Sequence, residues 1–427
     1  MMQKIYNDII KERIYLKKLA NGLTVMLMPR ANYNQFYGIF ATDYGSIDNK
    51  FVNPETNEVV KVPDGIAHFL EHKLFESEEG DVFSKFARLG ASANAFTNYN
   101  MTAYLFTTSS NFTEATMSLL DFVQDPYFTD ENVEKEKGII AQEIRMYDDE
   151  ANYQVYANLL NGLYHHHPVK IDIAGTVESI SKISKEDLYL CYNTFYNPGN
   201  MILFLTGDFN PVEILEKIEE NQYRKELVNY NNIKRIYPEE PASIREKVIV
   251  NKMDVSEPLF RLGIKEKNLP EKGKELLKQE LGTGLLLDLL IGKSSILYQD
   301  LYDQGLIDDY FSNYYVLEKG YGYVIMGGKT RDPELLYKKL LDGFKIGGRT
   351  LKKEDFNRAY KRVLGEYVQS FNSFEAVATE FISYYFKDIS FFDILDIIEE
   401  IDLDYLNKRY VELFQENNYV RSLIEKI

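Results

Sequence analysis

The alternation of apolar and polar residues predicts strands and helices in turn along the first half of the chain. Residues 13–29 hold two alternating runs around Asn21-Gly22, a dipeptide typical of the tight type I′ turn of a β-hairpin. A further strand is predicted in residues 36–46. In the segment 66–77 the apolar residues recur at helical spacing, which predicts a helix.

The same alternation continues to about residue 208. Residues 81–90 predict a short helix ended by Gly90, residues 91–109 two strands around a polar turn, and residues 113–126 an amphipathic helix. The segment 130–164 keeps a helical pattern throughout and predicts one long helix. A helix at 184–196 and a strand at 201–208 complete this half.

A polar segment separates two halves that resemble each other. Residues 221–245 contain two prolines and no clear periodicity, and they predict a linker between domains at 1–220 and 246–427. Segments 81–123 and 296–344 both run as a short helix closed by glycine, two strands and an amphipathic helix. The order indicates an α+β fold made of a duplicated unit, a mostly antiparallel sheet with helices on one face.

Composition narrows the classes of function. The 427 residues are 45% hydrophobic and 27% charged, as in a folded chain of more than one domain. The net charge of −17 argues against nucleic acid and anionic membranes as partners. Cys191 is the single cysteine, and no apolar run is long enough for a signal peptide or a membrane span, so we predict a cytoplasmic protein.

Two of the five histidines, His68 and His72, stand four residues apart in the predicted helix at 66–77, with Glu71 between them. Residues four apart lie on one helix face, so both imidazoles could bind the same metal ion. Glu71 would lie beside the metal, where it could take a proton from a water that zinc activates. The H-x-x-E-H order is that of the inverted zinc-protease motif. Taken alone, the spacing is also common among ordinary core or surface histidines.

A catalytic zinc site requires a third protein ligand. In the segment 130–164, Glu136 and Glu143 are seven residues apart and would face the same way on a helix. The pattern alone leaves both open as the ligand, whereas Glu134 fits a solvated surface position.

Several segments together resemble the pitrilysin and insulinase-type zinc peptidases, which include the mitochondrial processing peptidase. "GIAHFLEHKLFE", "LGASANAFTNYNMTAYLF", "EKEKGIIAQEI" and "HPVKIDIAGTVESI" occur in the family's order. The resemblance is dense in the first half and faint in the second. It implies two similar α/β sandwich domains that form one half of a clamshell, and an endopeptidase that cleaves short or unfolded peptides in a closed chamber.

The resemblance also assigns roles to residues. It implies His68, His72 and Glu143 as the ligands of one zinc ion per chain, and Glu71 as the general base. Glu136 matches a carboxylate that supports a ligand. Asn94 and Ala95 match an edge strand that pairs with the backbone of the peptide substrate.

The second half departs from this pattern. An offset of 215 residues, which aligns Gly90 with Gly305, places Thr283, Leu286 and Leu287 where the first half has His68, Glu71 and His72. We therefore expect no metal site there.

The resemblance also implies an Arg and a Tyr in the second half that contact the substrate. Tyr302 stands at the Arg position and Asp308 or Asp309 at the Tyr position, with Tyr310 as a possible substitute. We hypothesise that a partner, a related chain or a second copy, supplies the missing pair. The alternatives are a non-catalytic or partner-dependent subunit, and a protease specialised in leader peptides.

Three consecutive histidines, His165 to His167, precede Pro168. Adjacent residues on a helix point about 100° apart and are poor joint ligands. The resemblance places them at a turn, so we favour a structural or surface role over metal binding.

Overall fold

The computed structural model describes residues 2–78, 80–225, 230, 232–271, 273–348 and 350–427. The chain is about 45% helix and 22% strand. It divides into two compact units: unit 1 is Met1–Ile144, Ile171–Tyr237 and Phe371–Ser383, and unit 2 is Arg145–Lys170, Pro238–Ser370 and Tyr384–Ile427. Unit boundaries thus do not follow the sequence order, and the predicted domain limits 1–220 and 246–427 stay a prediction.

The first half contains, in chain order, β1 (Gln3–Asn7), β2 (Glu12–Lys18), β3 (Thr24–Pro29), β4 (Phe36–Thr42), β5 (Lys50–Val52), β6 (Val59–Lys61), α1 (Ile66–Leu74), β7 (Glu76–Ser77), β8 (Gly80–Asp81), α2 (Val82–Arg88), β9 (Ala91–Thr97), β10 (Thr102–Thr108), α3 (Phe112–Val123), α4 (Asp130–Asp148), α5 (Ala151–Leu163), α6 (Val177–Ile180), α7 (Lys185–Phe195), β11 (Met201–Gly207) and α8 (Pro211–Tyr223).

The second half contains β12 (Val248–Met253), β13 (Leu259–Lys265), α9 (Lys274–Ile291), α10 (Ile296–Asp303), β14 (Ser312–Glu318), β15 (Tyr321–Lys329), α11 (Pro333–Gly347), α12 (Lys353–Ser370), α13 (Phe374–Phe386), α14 (Ile394–Glu399), α15 (Leu403–Leu413) and β16 (Tyr419–Lys426).

The five strands of the unit 2 sheet have the same order as the last five strands of the unit 1 sheet. In unit 1 the order is β1-β2-β3-β11-β4-β10-β9, and in unit 2 it is β12-β16-β13-β15-β14. In both, the strand that ends the repeat pairs in parallel with the first strand of the repeat, β11 with β3 and β16 with β12. The remaining pairs in these sheets are antiparallel. The α+β prediction of a duplicated, mostly antiparallel unit is confirmed.

Each unit takes a helix from the other half of the sequence. The unit 1 sheet carries its main core on one face, and on the other Phe204 of β11 contacts Phe381 of α13, with ring centroids 5.6 Å apart. The unit 2 sheet is covered on one face by α5, where Leu159 packs against Gly263 of β13. Helices therefore lie on both faces of each sheet, whereas the sequence analysis predicted helices on one face only.

The predicted long helix at 130–164 is wrong, because the chain breaks between α4 and α5. Glu150 has extended backbone angles, φ −94° and ψ 107°, and its side chain accepts a hydrogen bond from the Tyr153 amide. A carboxylate in this position caps the helix that follows. Apolar periodicity on both sides of the break conceals it in the sequence.

The predicted hairpin forms from β2 and β3, but its turn is not type I′. Type I′ requires positive φ at both central residues, and here Gly22 has φ +97° while Asn21 does not have a positive φ. The Leu19 amide bonds to Leu23 O at 2.8 Å, which closes a three-residue loop.

The predicted linker at 221–245 is in part an ordered strap on unit 1. Residues 226–229 and 231 of this segment lie outside the described residues. Arg235 forms ion pairs at 3.1 Å with Asp43 and with the buried Asp48, and Ile236 N donates to Lys50 O at 2.9 Å. Tyr237 OH donates to Asp48 at 2.6 Å.

Within the described residues, no single helix has the length and apolar composition needed to cross a membrane. The pair Lys274–Ile291 and Ile296–Asp303, bent by 43°, meets those two criteria together.

Candidate metal centre

The helix α1 is anchored by an entry glycine and an apolar face. Gly65 has φ +91°, and a Cβ there would come 2.3 Å from Ala174 O, so only glycine fits this close approach. Ile66, Phe69 and Leu70 are buried in the core of unit 1. Because helical residues three and four apart share a face, His68, Glu71 and His72 project together from the less buried side.

The second wall of the site is α4. Its Val133, Ile140 and Ile144 are buried against the core. Glu136 and Glu143, two turns apart, both reach α1 from this helix. The sequence left these two carboxylates open as third ligand, and the structure separates them by the atoms that they contact.

Glu143 lies opposite the outer nitrogens of both histidines. Its Oε1 is 3.7 Å from His68 Nε2, and its Oε2 is 3.5 Å from His72 Nε2. The three residues offer ligand atoms within 4.8 Å of one another, the one such group of His, Cys and acidic residues within the described ranges.

Glu136 instead contacts the inner nitrogen of His72. Its Oε1 lies 3.0 Å from His72 Nδ1, and the carboxylate is buried. Burial acts to lower the pKa of His72, but the hydrogen bond and charge of Glu136, with smaller contributions from Glu71 and Glu143, outweigh it and raise the pKa. A hydrogen bond on Nδ1 fixes the ring so that Nε2 is the nitrogen presented to Glu143.

His68 has a different electrostatic setting. Burial, and secondarily the nearby His72, lower its pKa to about 3, which keeps this imidazole neutral. Its buried Nδ1 has no hydrogen-bond partner among the described residues. A neutral imidazole is the form that ligates a metal.

Glu71 is held by a residue that the sequence analysis missed. Thr97 Oγ1, at the end of β9, donates to Glu71 Oε2 at 2.6 Å. Burial raises the pKa of Glu71, and the hydrogen bond from Thr97 partly offsets this effect. Thr97 lies three residues after Asn94 in the "NAFT" segment, and its position in the edge strand is the signal that could have identified it.

Lys73 was also missed. Its side chain is fully buried beside the site, with an ion pair to Glu76 Oε2, and its Nζ lies 4.0 Å from Glu136 Oε2. A lysine next to the motif gives no sequence signal of burial, because lysines are almost never fully buried.

The ligand atoms of the group fit a zinc ion. Around a tetrahedral zinc with bonds of about 2.0–2.1 Å, two ligand atoms lie roughly 3.4 Å apart. The separations of 3.5 and 3.7 Å are close to this value. Two imidazoles, which ligate a metal in their neutral form, and one carboxylate make up the donor set of a hydrolytic zinc site.

The strand β9, which carries Asn94 and Ala95, is the edge of the unit 1 sheet. Within the described part of the sheet it pairs with β10 alone, with Asn94 opposite Leu105 and Ala95 opposite Tyr104. The Asn94 side chain accepts a hydrogen bond from the Ala95 amide at 2.9 Å. The outer edge of β9 leads to Thr97, which ends the strand and holds Glu71. An edge in this position suits the addition of an extended peptide.

The corresponding helix of unit 2 has a packed core in place of ligands. Thr283, Leu286 and Leu287 of α9 are buried to 1% exposure or less. The Thr283 hydroxyl accepts from Arg409, which also pairs with the buried Glu266 at 2.6 Å. Elsewhere in unit 2, Tyr302 and Tyr310 are exposed to 42% and 86%.

The triple histidine supplies backbone amides and not a cluster of ligands. The amides of His165, His166 and His167 donate to the Glu240 carboxylate at 2.7–2.8 Å, and Lys265 pairs with the same carboxylate. This arrangement agrees with the structural role that the sequence favoured.

Family models match both halves of the chain. Residues 60–177 match the family described as insulinase (peptidase family M16), and residues 182–363 match the peptidase M16 inactive domain.

Individual proteins are similar over most of the chain. An uncharacterized zinc protease of Bacillus subtilis, YmfH, is 46% identical over 95% of this chain and 94% of its own. The crystal structure of a putative M16-like peptidase from Alicyclobacillus acidocaldarius superposes with a TM-score of 0.94 and 41% identity, covering 97% and 99% of the two chains. The periplasmic protease PqqL of Escherichia coli has the same fold, with a TM-score of 0.77 and 17% identity over 100% of this chain and 48% of that chain.

Proposed function

Because the chain belongs to peptidase family M16, the insulinase family, we propose that it is a zinc-dependent endopeptidase that cleaves short or unfolded peptides. The observation that carries the proposal is the convergence of His68, His72 and Glu143 within 4.8 Å, with the Glu71 carboxylate held beside them.

His68, His72 and Glu143 would hold one zinc ion per chain. Zinc bound there supplies a Lewis acid that polarises the scissile carbonyl and makes water more acidic. Glu136 keeps the His72 ring in the orientation that points Nε2 toward Glu143, through its 3.0 Å contact with Nδ1.

Glu71 acts as the general base and then as the acid. Its carboxylate accepts the proton of the attacking water and passes it to the leaving amine. The hydrogen bond from Thr97 fixes one oxygen, which leaves the other oxygen for proton transfer. The edge strand at Asn94 and Ala95 binds an extended peptide through its backbone, and such binding selects conformation more than sequence.

The proposal is tested with the variant Glu71→Gln. We expect about one zinc per chain in both the parent and the variant, measured by elemental analysis, and cleavage of a mixed peptide pool by the parent alone. Glu134→Gln, an exposed carboxylate of α4, serves as the matched control and should behave as the parent. A parent without zinc, or full activity in Glu71→Gln, would refute the mechanism.

We further propose that cleavage at full rate needs a second chain, either a related one or a second copy. The observation that favours this partner-dependent function is that Tyr302 and the acidic pair Asp308-Asp309 occupy the positions where the resemblance implies Arg and Tyr. Furthermore, the chain spans 48% of PqqL. Peptide cleavage is measured against protein concentration, with and without a related chain. Full activity of an isolated monomer would contradict the proposal.

A further inference from the structure

An open cavity of about 340 Å³ in unit 2 has Arg261 in its wall. Its other walls are Glu150, Asn152, Tyr153 and Tyr156, at the start of α5, and Tyr314 of β14. Arg261 lies on β13, on the same face of the sheet as Gly263, which packs against Leu159 of α5. The cavity therefore lies where the first turns of α5 meet the sheet.

Arg261 has no carboxylate partner among the described residues. Its side chain makes one long hydrogen bond, from Nη1 to Phe260 O at 3.4 Å. Three other arginines that are buried or half-buried, Arg30, Arg235 and Arg409, all form ion pairs, at 2.7, 3.1 and 2.6 Å. The partial burial of Arg261 lowers the pKa of its guanidinium. Arg261 is therefore a half-buried cation without a counterion among the described residues, in a chain of net charge −17, and it is available to pair with an anion.

Tyr314, in the cavity wall, adds a hydroxyl donor beside Arg261. Gly327 and Ser422 are its cross-strand neighbours on β15 and β16. The buried Ser422 Oγ has no hydrogen-bond partner among the described residues, and neither of these two neighbours lines the cavity. Burial, and secondarily the charge of Tyr156, raise the pKa of Tyr314 to about 12, so that its hydroxyl stays a neutral donor.

Two acidic groups lie near the cavity. Glu150 is engaged with the start of α5, because its oxygens accept from the Tyr153 amide at 2.7 Å and from Asn152 Nδ2 at 3.1 Å. Asp308 acts on Arg261 through its charge without forming an ion pair. Neither neutralises the guanidinium by direct contact.

We propose that this cavity binds a carboxylate group of a peptide. A guanidinium presents two parallel N–H donors that match the two oxygens of a carboxylate, and the Tyr314 hydroxyl in the cavity wall supplies a further donor. This inference rests on the proposed function in that peptides are the ligands considered. The carboxylate comes either from the peptide's C-terminus or from an Asp or Glu side chain.

Calorimetric titration of zinc-loaded Glu71→Gln protein tests the site without cleavage. The probes are one ten-residue peptide with a free C-terminus, the same peptide amidated, and the amidated peptide with one internal Glu. We expect at least one carboxylate form to bind about tenfold more tightly than the neutral amide. Arg261→Met, added to Glu71→Gln, should abolish that preference, whereas Arg358→Met, which removes an exposed arginine paired with Asp355, should preserve it.

The outcomes separate the alternatives. Preference for the free terminus or for the internal Glu, each lost in Arg261→Met, supports the site and identifies the source of the carboxylate. Equal affinity for all three peptides, or a preference that survives Arg261→Met, overturns it.

Removal of an uncompensated charge should leave the melting temperature unchanged or raised, while a purely structural arginine would lower it. If Arg261→Met does not fold, Arg261→Lys decides, because it keeps the charge and loses the paired donors. A preference unchanged in Arg261→Lys overturns the proposal, and a weakened one supports it. Because binding is measured without turnover, the result does not depend on whether the protein cleaves peptides. Failure of the proposed function can therefore be told apart from failure of this proposal.

Discussion

The Thr97 hydroxyl, at the end of the edge strand β9, lies 2.6 Å from Glu71 Oε2 and fixes this carboxylate of helix α1. The bond joins two elements of unit 1, α1 and β9, through residues 26 apart in the chain.

Replacement of Thr97 by Val keeps the shape of the residue and removes the hydroxyl. We expect zinc content to stay the same and kcat to fall about tenfold, because Glu71 loses the bond that orients it. Ser92→Ala, on the exposed side of the same strand, is the control and should leave kcat unchanged. Loss of zinc in Thr97→Val would show instead that the substitution disturbs the whole site.

Glu136 orients His72 without contacting the proposed metal position. Glu136→Gln should weaken zinc binding about 10- to 100-fold, measured by competition with a chelator, because the second contact of a ligating histidine holds its ring and raises its basicity. Glu134→Gln, two residues away on the same helix and solvent-exposed, should bind zinc as tightly as the parent. Equal affinities for all three proteins would contradict the orientation that we infer.

The buried Lys73 and the exposed Lys135 form ion pairs with the same carboxylate, Glu76. Lys73→Met should lower the free energy of unfolding by about 1–3 kcal/mol, because it leaves acidic groups without their buried counterion. Lys135→Met should change it by less than about 0.5 kcal/mol, since that lysine is solvated. Denaturant unfolding of both variants gives the comparison, and similar losses would refute the argument.

The double variant Lys73→Met, Glu76→Gln should recover part of the stability that Lys73→Met loses, because it removes the carboxylate left unpaired. No recovery would indicate that Lys73 acts mainly through Glu136, which lies 4.0 Å away.

Stability should depend on pH through Glu240. Burial alone would raise the pKa of this carboxyl, but hydrogen bonds from Lys265 and from the amides of His165 to His167 outweigh it and lower the pKa from 4.5 to about 2. The unfolded chain therefore takes up this proton first as the pH falls. The stabilisation is complete above pH 4.5 and is lost as the pH falls toward 2.

Glu240→Gln should cost about 1–3 kcal/mol at neutral pH, and the difference from the parent should shrink below pH 4.5. Denaturant unfolding across that range measures it. The exposed neighbour Glu239 provides the control Glu239→Gln, for which we expect no such pH-dependent difference.

The sequence predicted the parts of the site that obey local rules. His68, Glu71 and His72 follow from helical spacing, and Glu143 follows from a second helix and the family resemblance. Glu136 and Glu143 could not be separated by spacing, because the distinction depends on which nitrogen of a histidine each one meets in three dimensions.

The errors arose where tertiary structure overrides a continuous pattern. The helical periodicity at 130–164 hides the cap at Glu150, since both helices that it separates are amphipathic. The segment 221–245, predicted to be a linker from its polarity, also carries Arg235, which pairs with a buried aspartate almost two hundred residues earlier. The sequence did not reveal the roles of Lys73 and Thr97. Each role depends on the residues that the side chain contacts in the folded chain, and residue type alone does not indicate those contacts.

The reciprocal placement of α5 and α13 has a consequence for the production of parts of the protein. A gene fragment that encodes residues 1–220 would produce a sheet whose Phe204 face lacks its covering helix, and a fragment encoding 246–427 would lack α5. Neither fragment is self-sufficient, so we expect separate expression to give aggregated or unfolded material.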